Sequence, residues 1–195
     1  MKSMRFLVPI LVAFAAFEAR AVARPDCIGD EGGTVTTPGS VLQNALYAAN
    51  GGTIVLCQQA QFEVSGSIKV PAFSKIQTRG LPTNDALKAR IFYKPGSGLV
   101  KGQAVLDANG QSGVELRNLI VDGSRAHPAV ERITGEETKH RSLIAISGVN
   151  SLMDRVRAVN PVGMAIVAAA DDKNCSGLRI TNSFFGYAVL APTEI

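Results

Sequence analysis

The sequence predicts an all-β solenoid, in which short strands stack coil upon coil. The first observation is a loose internal repeat, because the run from Ser112 to Gly123 resembles the run from Cys175 to Gly186. Each copy alternates apolar and polar residues, reaches an Asn, and continues as a short apolar stretch that ends at Gly. A period of two residues is typical of a strand with one buried face, and so short a strand cannot bury that face alone. Stacked repeats supply the missing partner.

The second observation is the absence of long helices between the strand-like runs. Short apolar-rich runs follow one another from Thr53 to Leu190 and are separated by Gly and Pro, which excludes an ordinary crossover α/β sheet. A sandwich or barrel stays open at this point. Hairpin dipeptides are few, however, and the best of them, Asn109-Gly110, lies in a stretch with little apolar alternation. The pattern therefore favours a parallel β-helix, whose coils each contribute strands to separate sheets.

The third observation is the matching position of Asn118 and Asn182 in the two repeats. A buried Asn at a coil corner can bond the turn backbone and stack on the equivalent residue of a neighbouring coil. Asp154 or Arg155 occupies the comparable place in the coil between them. Either Asn alone is typical of an ordinary turn, and it is the shared flanking pattern that favours a corner role.

The first residues have the pattern of a secretory signal peptide. Lys2 and Arg5 precede an apolar run over residues 6–17, and Ala21-Val22-Ala23 offers a small-residue cleavage site. The alternative is a membrane anchor, but this run is too short to cross roughly 30 Å of hydrocarbon. We therefore expect a signal peptide over residues 1–23 and a single β-helix domain over residues 24–195, without a membrane span.

This leader predicts a secreted protein, extracellular or, in a bacterium, periplasmic. The formal net charge of the whole chain is +4, and part of that charge belongs to the leader. No basic run or aromatic platform accompanies it, so we expect no nucleic-acid partner. We expect the mature chain to be a monomer.

The chain has three cysteines, and secretion favours a disulfide. A bridge between Cys27 and Cys57 would tie the amino-terminal segment to the end of the first predicted strand, and Cys175 would then be left over. The alternative is three buried thiols.

A short amphipathic helix is predicted from Ser40 to Asn50. Ser40 has the spacing of an N-cap whose partner Gln43 reaches back, and Leu42 and Leu46 fall on one face. Because the helix is short, we expect it to dock on the strands rather than stand alone.

The order of these features resembles the right-handed parallel β-helix superfamily that is named for pectate and pectin lyases. The resemblance runs from the helix through Thr53–Leu56 to the Asn118–Gly123 run, and it covers most of residues 39–190. It implies that the helix caps the first coil and shields its strand edges. No capping element follows Leu190, so we expect that the carboxy-terminal coils are missing; the alternative is a short tail that folds over the last coil.

The resemblance leaves the function open, because the superfamily contains polysaccharide lyases, hydrolases and epimerases as well as adhesins and surface proteins without catalysis. We expect a polysaccharide partner, and an acidic one if the chain is a lyase. The alternative is a non-catalytic, adhesin-like module. The Arg-x-x-Pro-x-x-Arg run of pectate lyases is absent, as are the Gly-His-Gly and Arg-Ile-Lys runs of the galacturonan hydrolases.

Carboxylates and a nearby amine are the groups that such enzymes would need as acid, base or calcium ligand. The candidate catalytic residues are Asp122, Asp171, Asp172 and Lys173. The candidate calcium ligands are Asp154, Asp171 and Asp172, with Arg155 and Arg157 as further cationic partners. The alternative for Asp171-Asp172-Lys173 is a solvated turn. His127 and His140 fall in a polar segment over residues 124–141, interpreted as a loop, and their spacing does not favour a zinc site.

Overall fold

The computed structural model of the chain describes residues 26–94, 97, 99, 103–124, 142–161, 163–168 and 175–186. The predicted signal peptide, most of the predicted loop and the run after Leu190 lie outside the described residues.

The described residues form short strands and one α-helix. In chain order the elements are β1 (Thr36–Pro38), α1 (Gly39–Ala49), β2 (Thr53–Leu56), β3 (Gln61–Val64), β4 (Ile68–Lys69), β5 (Lys75–Thr78), a short 3-10 helix (Asp85–Leu87), β6 (Ala89–Tyr93), β7 (Ala104–Ala108), β8 (Glu115–Arg117), β9 (Leu119–Asp122), β10 (Ser142–Ile146), β11 (Leu152–Asp154), β12 (Arg157–Val159), β13 (Met164–Val167), β14 (Arg179–Thr181) and β15 (Phe184–Phe185). No helix in the described part of the chain is long and apolar enough to cross a lipid bilayer.

These strands build three sheets, and every strand pair is parallel. Sheet A has the order β2-β5-β8-β11-β14, sheet B has the order β1-β3-β6-β9-β12-β15, and sheet C has the order β4-β7-β10-β13. From β2 onward the chain visits sheets A, B and C in constant rotation, so neighbours within a sheet are three strands apart in sequence. The prediction of an all-β fold with stacked parallel strands is confirmed, and the arrangement fits a solenoid.

The register of the sheets places one apolar residue per strand over the next. In sheet A, Met153 pairs with Leu116 on one side and with Ile180 on the other. Because side chains alternate between the two faces of a strand, a constant register keeps this row on the inner face. Leu116 and Met153 are fully buried, whereas Ile180, in the edge strand β14, is 42 % exposed.

The corner between sheets A and B is built from residues with left-handed backbone. Arg117 pairs with Asp154, and Asp154 with Thr181, so the next residues Asn118, Arg155 and Asn182 occupy equivalent positions. Their φ angles are 52°, 53° and 50°. Arg155, rather than Asp154, is therefore the equivalent of the two Asn residues, and it stands between them in the stack.

Asn118 confirms the predicted contact of a buried Asn with a turn. Its Nδ2 donates to the backbone oxygen of Pro82 at 2.8 Å, and its own backbone oxygen accepts from Thr78 Oγ1 at 2.5 Å. The side chain does not stack on an equivalent Asn, because Arg155 occupies the next corner.

Helix α1 docks on the first coil as predicted, with Leu42 and Leu46 fully buried. The predicted N-cap is wrong: strand β1 continues through Pro38, which pairs with Glu63, so the helix already begins at Gly39 and no side chain caps it. Gln43 instead bonds the backbone of Lys69 in β4, donating from Nε2 to its oxygen at 2.9 Å and accepting from its N–H at 2.7 Å.

The Cys27–Cys57 disulfide is confirmed, which excludes the alternative of three thiols. Next to it, Ile28 forms an isolated parallel bridge with Leu56 at the edge of sheet A. Cys175 lies outside this disulfide, and its thiol donates to the backbone oxygen of Ala168 at 3.1 Å.

Candidate functional site

Asp122, the first candidate catalytic residue, lies at the end of β9 in sheet B and is fully buried. Its Oδ2 pairs with the guanidinium of Arg90. Its Oδ1 accepts from the backbone N–H of Ser124 at 2.7 Å and from Nδ2 of Asn160 at 3.1 Å. Both oxygens therefore bind donors of the protein itself, and this carboxylate holds the turn after β9 against the end of β12. A catalytic role for Asp122 stays a prediction.

Asp154, the first candidate calcium ligand, lies at the end of β11 in sheet A. Its carboxylate accepts from Nδ2 of Asn182 at 3.0 Å, from Oγ1 of Thr181 at 2.8 Å and from a guanidinium nitrogen of Arg155 at 3.0 Å. The hydrogen bond from Asn182 is the largest influence and lowers the pKa of Asp154, whereas burial raises the pKa. The hydrogen bond from Thr181 and the nearby Arg charges lower the pKa further. The pKa therefore lies below its usual value, and the carboxylate is ionised at neutral pH.

Asp122 and Asp154 thus lie on different sheets, each with its own local partners. The remaining candidates Asp171, Asp172 and Lys173 lie outside the described residues, as do His127 and His140. Within the described ranges, no three His, Cys, Asp or Glu side chains come together in a group that could hold a metal. The described residues alone therefore do not fit a calcium centre.

A groove that the sequence did not predict lies at the corner between sheets A and B, and we call it the corner groove. It encloses about 420 Å³ and is lined by Thr83, Asp85, Lys88, Arg155, Arg157, Asn182, Ser183 and Phe184. Two of these residues, Arg155 and Asn182, are left-handed corner residues of successive coils. Arg157 and Phe184 are register partners at the start of β12 and β15.

The floor of the corner groove is a hydrogen-bonded ion cluster. The buried amine of Lys88 donates to Asp85 Oδ1 at 2.7 Å and to the backbone oxygen of Arg155 at 2.9 Å, and Arg157 pairs with Asp85 Oδ2. Burial raises the pKa of Asp85, but the hydrogen bonds and charges of Lys88 and Arg157 outweigh it and hold the pKa below its usual range. Asp85 is therefore ionised and orients both cations.

Three cations at the corner groove, Lys88, Arg155 and Arg157, pair with two carboxylates, Asp85 and Asp154, so one positive charge is in excess. Arg155 and Arg157 leave 40 % and 39 % of their side chains exposed. The Arg157 guanidinium lies 4.9 Å from the ring centroid of Phe184, which is itself half exposed. The buried Nε of Arg157 has no hydrogen-bond partner within the described part of the chain. Guanidinium groups bind carboxylates and phosphates in fixed geometry, so the groove suits an anionic ligand.

A larger cleft of about 520 Å³ lies where α1 begins, beside the turn between β3 and β4. The two charged residues that line it, Glu63 and Lys94, form an ion pair with each other at 3.0 Å. This cleft therefore offers no surplus charge to a ligand, and the corner groove is the better candidate site.

No family model, curated protein or solved structure matches this chain. The three parallel sheets fit a solenoid, and the resemblance to the pectate-lyase-like superfamily stays an expectation from the sequence pattern.

Proposed function

We propose that this chain is a secreted, right-handed parallel β-helix protein of the pectate-lyase-like type that binds or acts on acidic extracellular or cell-wall polysaccharide. The rotation of short strands among three parallel sheets supports this architecture. Connections between parallel strands of one sheet are right-handed in nearly all proteins, which supports the handedness. The observation that carries the functional proposal is the corner groove.

The groove has the chemistry that an acidic sugar polymer requires. The carboxylates of a uronate chain would pair with Arg155 and Arg157, whose side chains are partly exposed and are held in place by Asp154 and Asp85. Its hydroxyl groups would meet Asn182 and Ser183, and the ring of Phe184 offers an apolar surface beside them. Arg155 and Arg157 come from one coil and Asn182 to Phe184 from the next, so a polymer can run from one coil to the other.

The described carboxylates favour a protein that binds the polysaccharide without cleaving it. The carboxylates of Asp122 and Asp154 accept hydrogen bonds from protein donors, and each also pairs with an Arg, so both carboxylates already have partners within the protein. Lyase or hydrolase activity remains the second candidate, and it would depend on Asp171, Asp172 and Lys173, with calcium as the cation in the lyase case.

A binding assay with the mature chain tests the proposal. We expect binding to immobilised polygalacturonate that weakens as salt rises, with little binding to neutral cellulose. The double change Arg155→Ala with Arg157→Ala should weaken this binding about tenfold or more, equivalent to about 1.4 kcal/mol. The matched control is Arg79→Ala, an exposed cation paired with Glu31 away from the groove. Equal binding to both polymers, or equal effects of the two sets of changes, would refute the groove assignment.

An activity assay then separates the two candidates. Polygalacturonate is incubated with the chain, with and without calcium, and both unsaturated products and new reducing ends are measured. Product that disappears in the variant Asp171→Asn with Asp172→Asn supports catalysis by the predicted residues. Binding without product supports the non-catalytic module.

A further inference from the structure

Within the described residues, those from 26 to the start of β2 form what we call an incomplete coil, which lies against the first strands of the three sheets. Ile28 occupies the edge of sheet A, β1 occupies the edge of sheet B, and α1 lies against β4 at the edge of sheet C through Gln43. Residues 26–35, which we call the cap segment, precede β1 in this coil, and Ile28 within them covers the edge of β2.

The cap segment is held by backbone hydrogen bonds, by a bond from Gln61 Nε2 to the backbone oxygen of Gly33 at 3.1 Å, and by the packing of Cys27 and Ile28 against the core. The backbone N–H of Ile28 donates to Val55 at 2.8 Å, that of Cys57 donates to Ile28 at 2.9 Å, and that of Gly32 donates to Gln58 at 3.1 Å. Glu31 adds an ion pair with Arg79 in which both side chains are partly exposed, and such solvent-accessible pairs stabilise little. The Cys27–Cys57 disulfide is the covalent tie.

The rest of the incomplete coil is anchored independently of that disulfide. Strand β1 pairs with β3 at three successive positions, and Leu42 and Leu46 of α1 are fully buried. The two hydrogen bonds of Gln43 to Lys69 also lie far from the cysteines in sequence. Loss of the disulfide therefore removes a main restraint on the cap segment and leaves the restraints on β1 and α1 in place.

We propose that the Cys27–Cys57 disulfide is a redox latch that keeps the cap segment closed over the edge of β2. A dithiol reductant opens it by exchange: one thiolate attacks a sulfur of the disulfide, and the other cysteine sulfur leaves and takes a proton. The second thiol of the reductant then resolves the mixed disulfide, so the reductant ends oxidised and Cys27 and Cys57 end as thiols. The cap segment then detaches, while β1 and α1 stay docked.

The burial of the latch couples its reduction to the opening of the cap segment. Cys27 and Cys57 are 4 % and 3 % exposed, so a reductant reaches the sulfurs only while the segment is open. Once it is reduced, the edge of β2 presents unpaired backbone groups, which are a template for pairing with another strand. An oxidising compartment therefore keeps this edge covered, and a reducing one uncovers it.

Hydrogen exchange of the folded chain, before and after dithiothreitol, tests the latch. After reduction we expect the amides of Ile28, Gly32 and Cys57 to exchange about tenfold faster or more. The amides of Asn50, bonded to Leu46, and of Lys69, bonded to Gln43, should keep their rates. No acceleration at the first three amides would overturn the proposal. Faster exchange at all five amides would also overturn the proposal, because the disulfide would then hold the whole incomplete coil and not the cap segment alone.

A variant that keeps both cysteines gives a second test. Ile28→Pro removes the N–H that donates to Val55, so the cap segment should open more often and dithiothreitol should reduce the disulfide several-fold faster. The control is Cys175→Ser, which changes a thiol outside the latch and should leave the rate unchanged. An unchanged rate in Ile28→Pro would show that cap opening does not govern access to the disulfide.

Discussion

Asn118 meets two requirements of the corner between β8 and β9 with a single residue. Its backbone is left-handed, with φ of 52°, and its buried amide satisfies the carbonyl of Pro82. Asn tolerates this backbone better than most residues do, because its short polar side chain bonds locally. Both properties follow from the residue type that the sequence repeat singled out.

The two contributions of Asn118 can be separated by substitution. Asn118→Gly keeps the left-handed backbone and loses the hydrogen bond to Pro82, so we expect a loss of about 1–3 kcal/mol in the free energy of unfolding. Asn118→Ala should cost about 1 kcal/mol more, because a β-carbon disfavours this backbone. Chemical denaturation measures both variants. Equal stability of the Gly variant and the wild type would show that the bond to Pro82 contributes nothing.

The carboxylate of Asp154 predicts a specific loss of stability in acid. Its pKa is lower in the folded chain than its ordinary value of 3.8, chiefly through the hydrogen bond from Asn182. The contribution of Asp154 to the free energy of unfolding is therefore fully present well above pH 3.8, and it is lost as the pH falls through the pKa of the folded chain. Asp154→Asn should flatten this acid limb in denaturation curves recorded against pH. An unchanged limb in that variant would assign the acid sensitivity to other carboxylates, such as Asp85 and Glu115.

At the scale of elements, one side chain of helix α1 forms the hydrogen bonds with β4 that a neighbouring strand would form. The amide of Gln43 takes up both backbone groups of Lys69 at the free edge of β4. Gln43→Ala should therefore destabilise the chain by about 1 kcal/mol and accelerate exchange of the Lys69 amide. Gln43→Glu is the comparison variant: it keeps an acceptor for that amide, but it replaces the donor to the Lys69 carbonyl by a charged carboxylate oxygen, so only the protection of the amide should survive. Protection of Lys69 that survives in Gln43→Ala would contradict this role.

The elements that the sequence predicted are those with local signals. The apolar face of α1, the corner residue Asn118 and the Cys27–Cys57 disulfide all follow from spacing or from position in the chain. The start of α1 was predicted wrongly, since its position depends on the pairing of Pro38 with Glu63 in another strand. A short stretch of sequence does not show which distant strand it pairs with.

The candidate site shows the same limit. Arg155 and Arg157 were singled out as cationic groups, but as partners for calcium-binding aspartates and not as walls of a groove. Their neighbours Asp85 and Lys88 come from a coil far earlier in the chain, so residue spacing could not bring them together. The signal that was present was the repeat itself, which aligns Arg157 with Phe184 once the register is known.

At the scale of the whole molecule, burial along one row of the stack should determine the cost of substitution. Leu116 and Ile180 belong to the same inner row of sheet A, but Leu116 is fully buried and Ile180 is 42 % exposed. Leu116→Ala should cost about 2–5 kcal/mol, and Ile180→Ala clearly less. Thermal or chemical denaturation measures both changes. Similar costs would indicate that Ile180 is packed as tightly as Leu116.

The stacking of parallel coils is tested most directly by backbone cross-peaks in a nuclear Overhauser spectrum of sheet A. We expect contacts from Met153 to both Leu116 and Ile180, with Leu152 opposite Glu115 and Asp154 opposite Arg117. An antiparallel arrangement would instead place Leu152 opposite Arg117 and Asp154 opposite Glu115. That second pattern, or no cross-peaks between these strands, would contradict the solenoid and with it the groove on its corner.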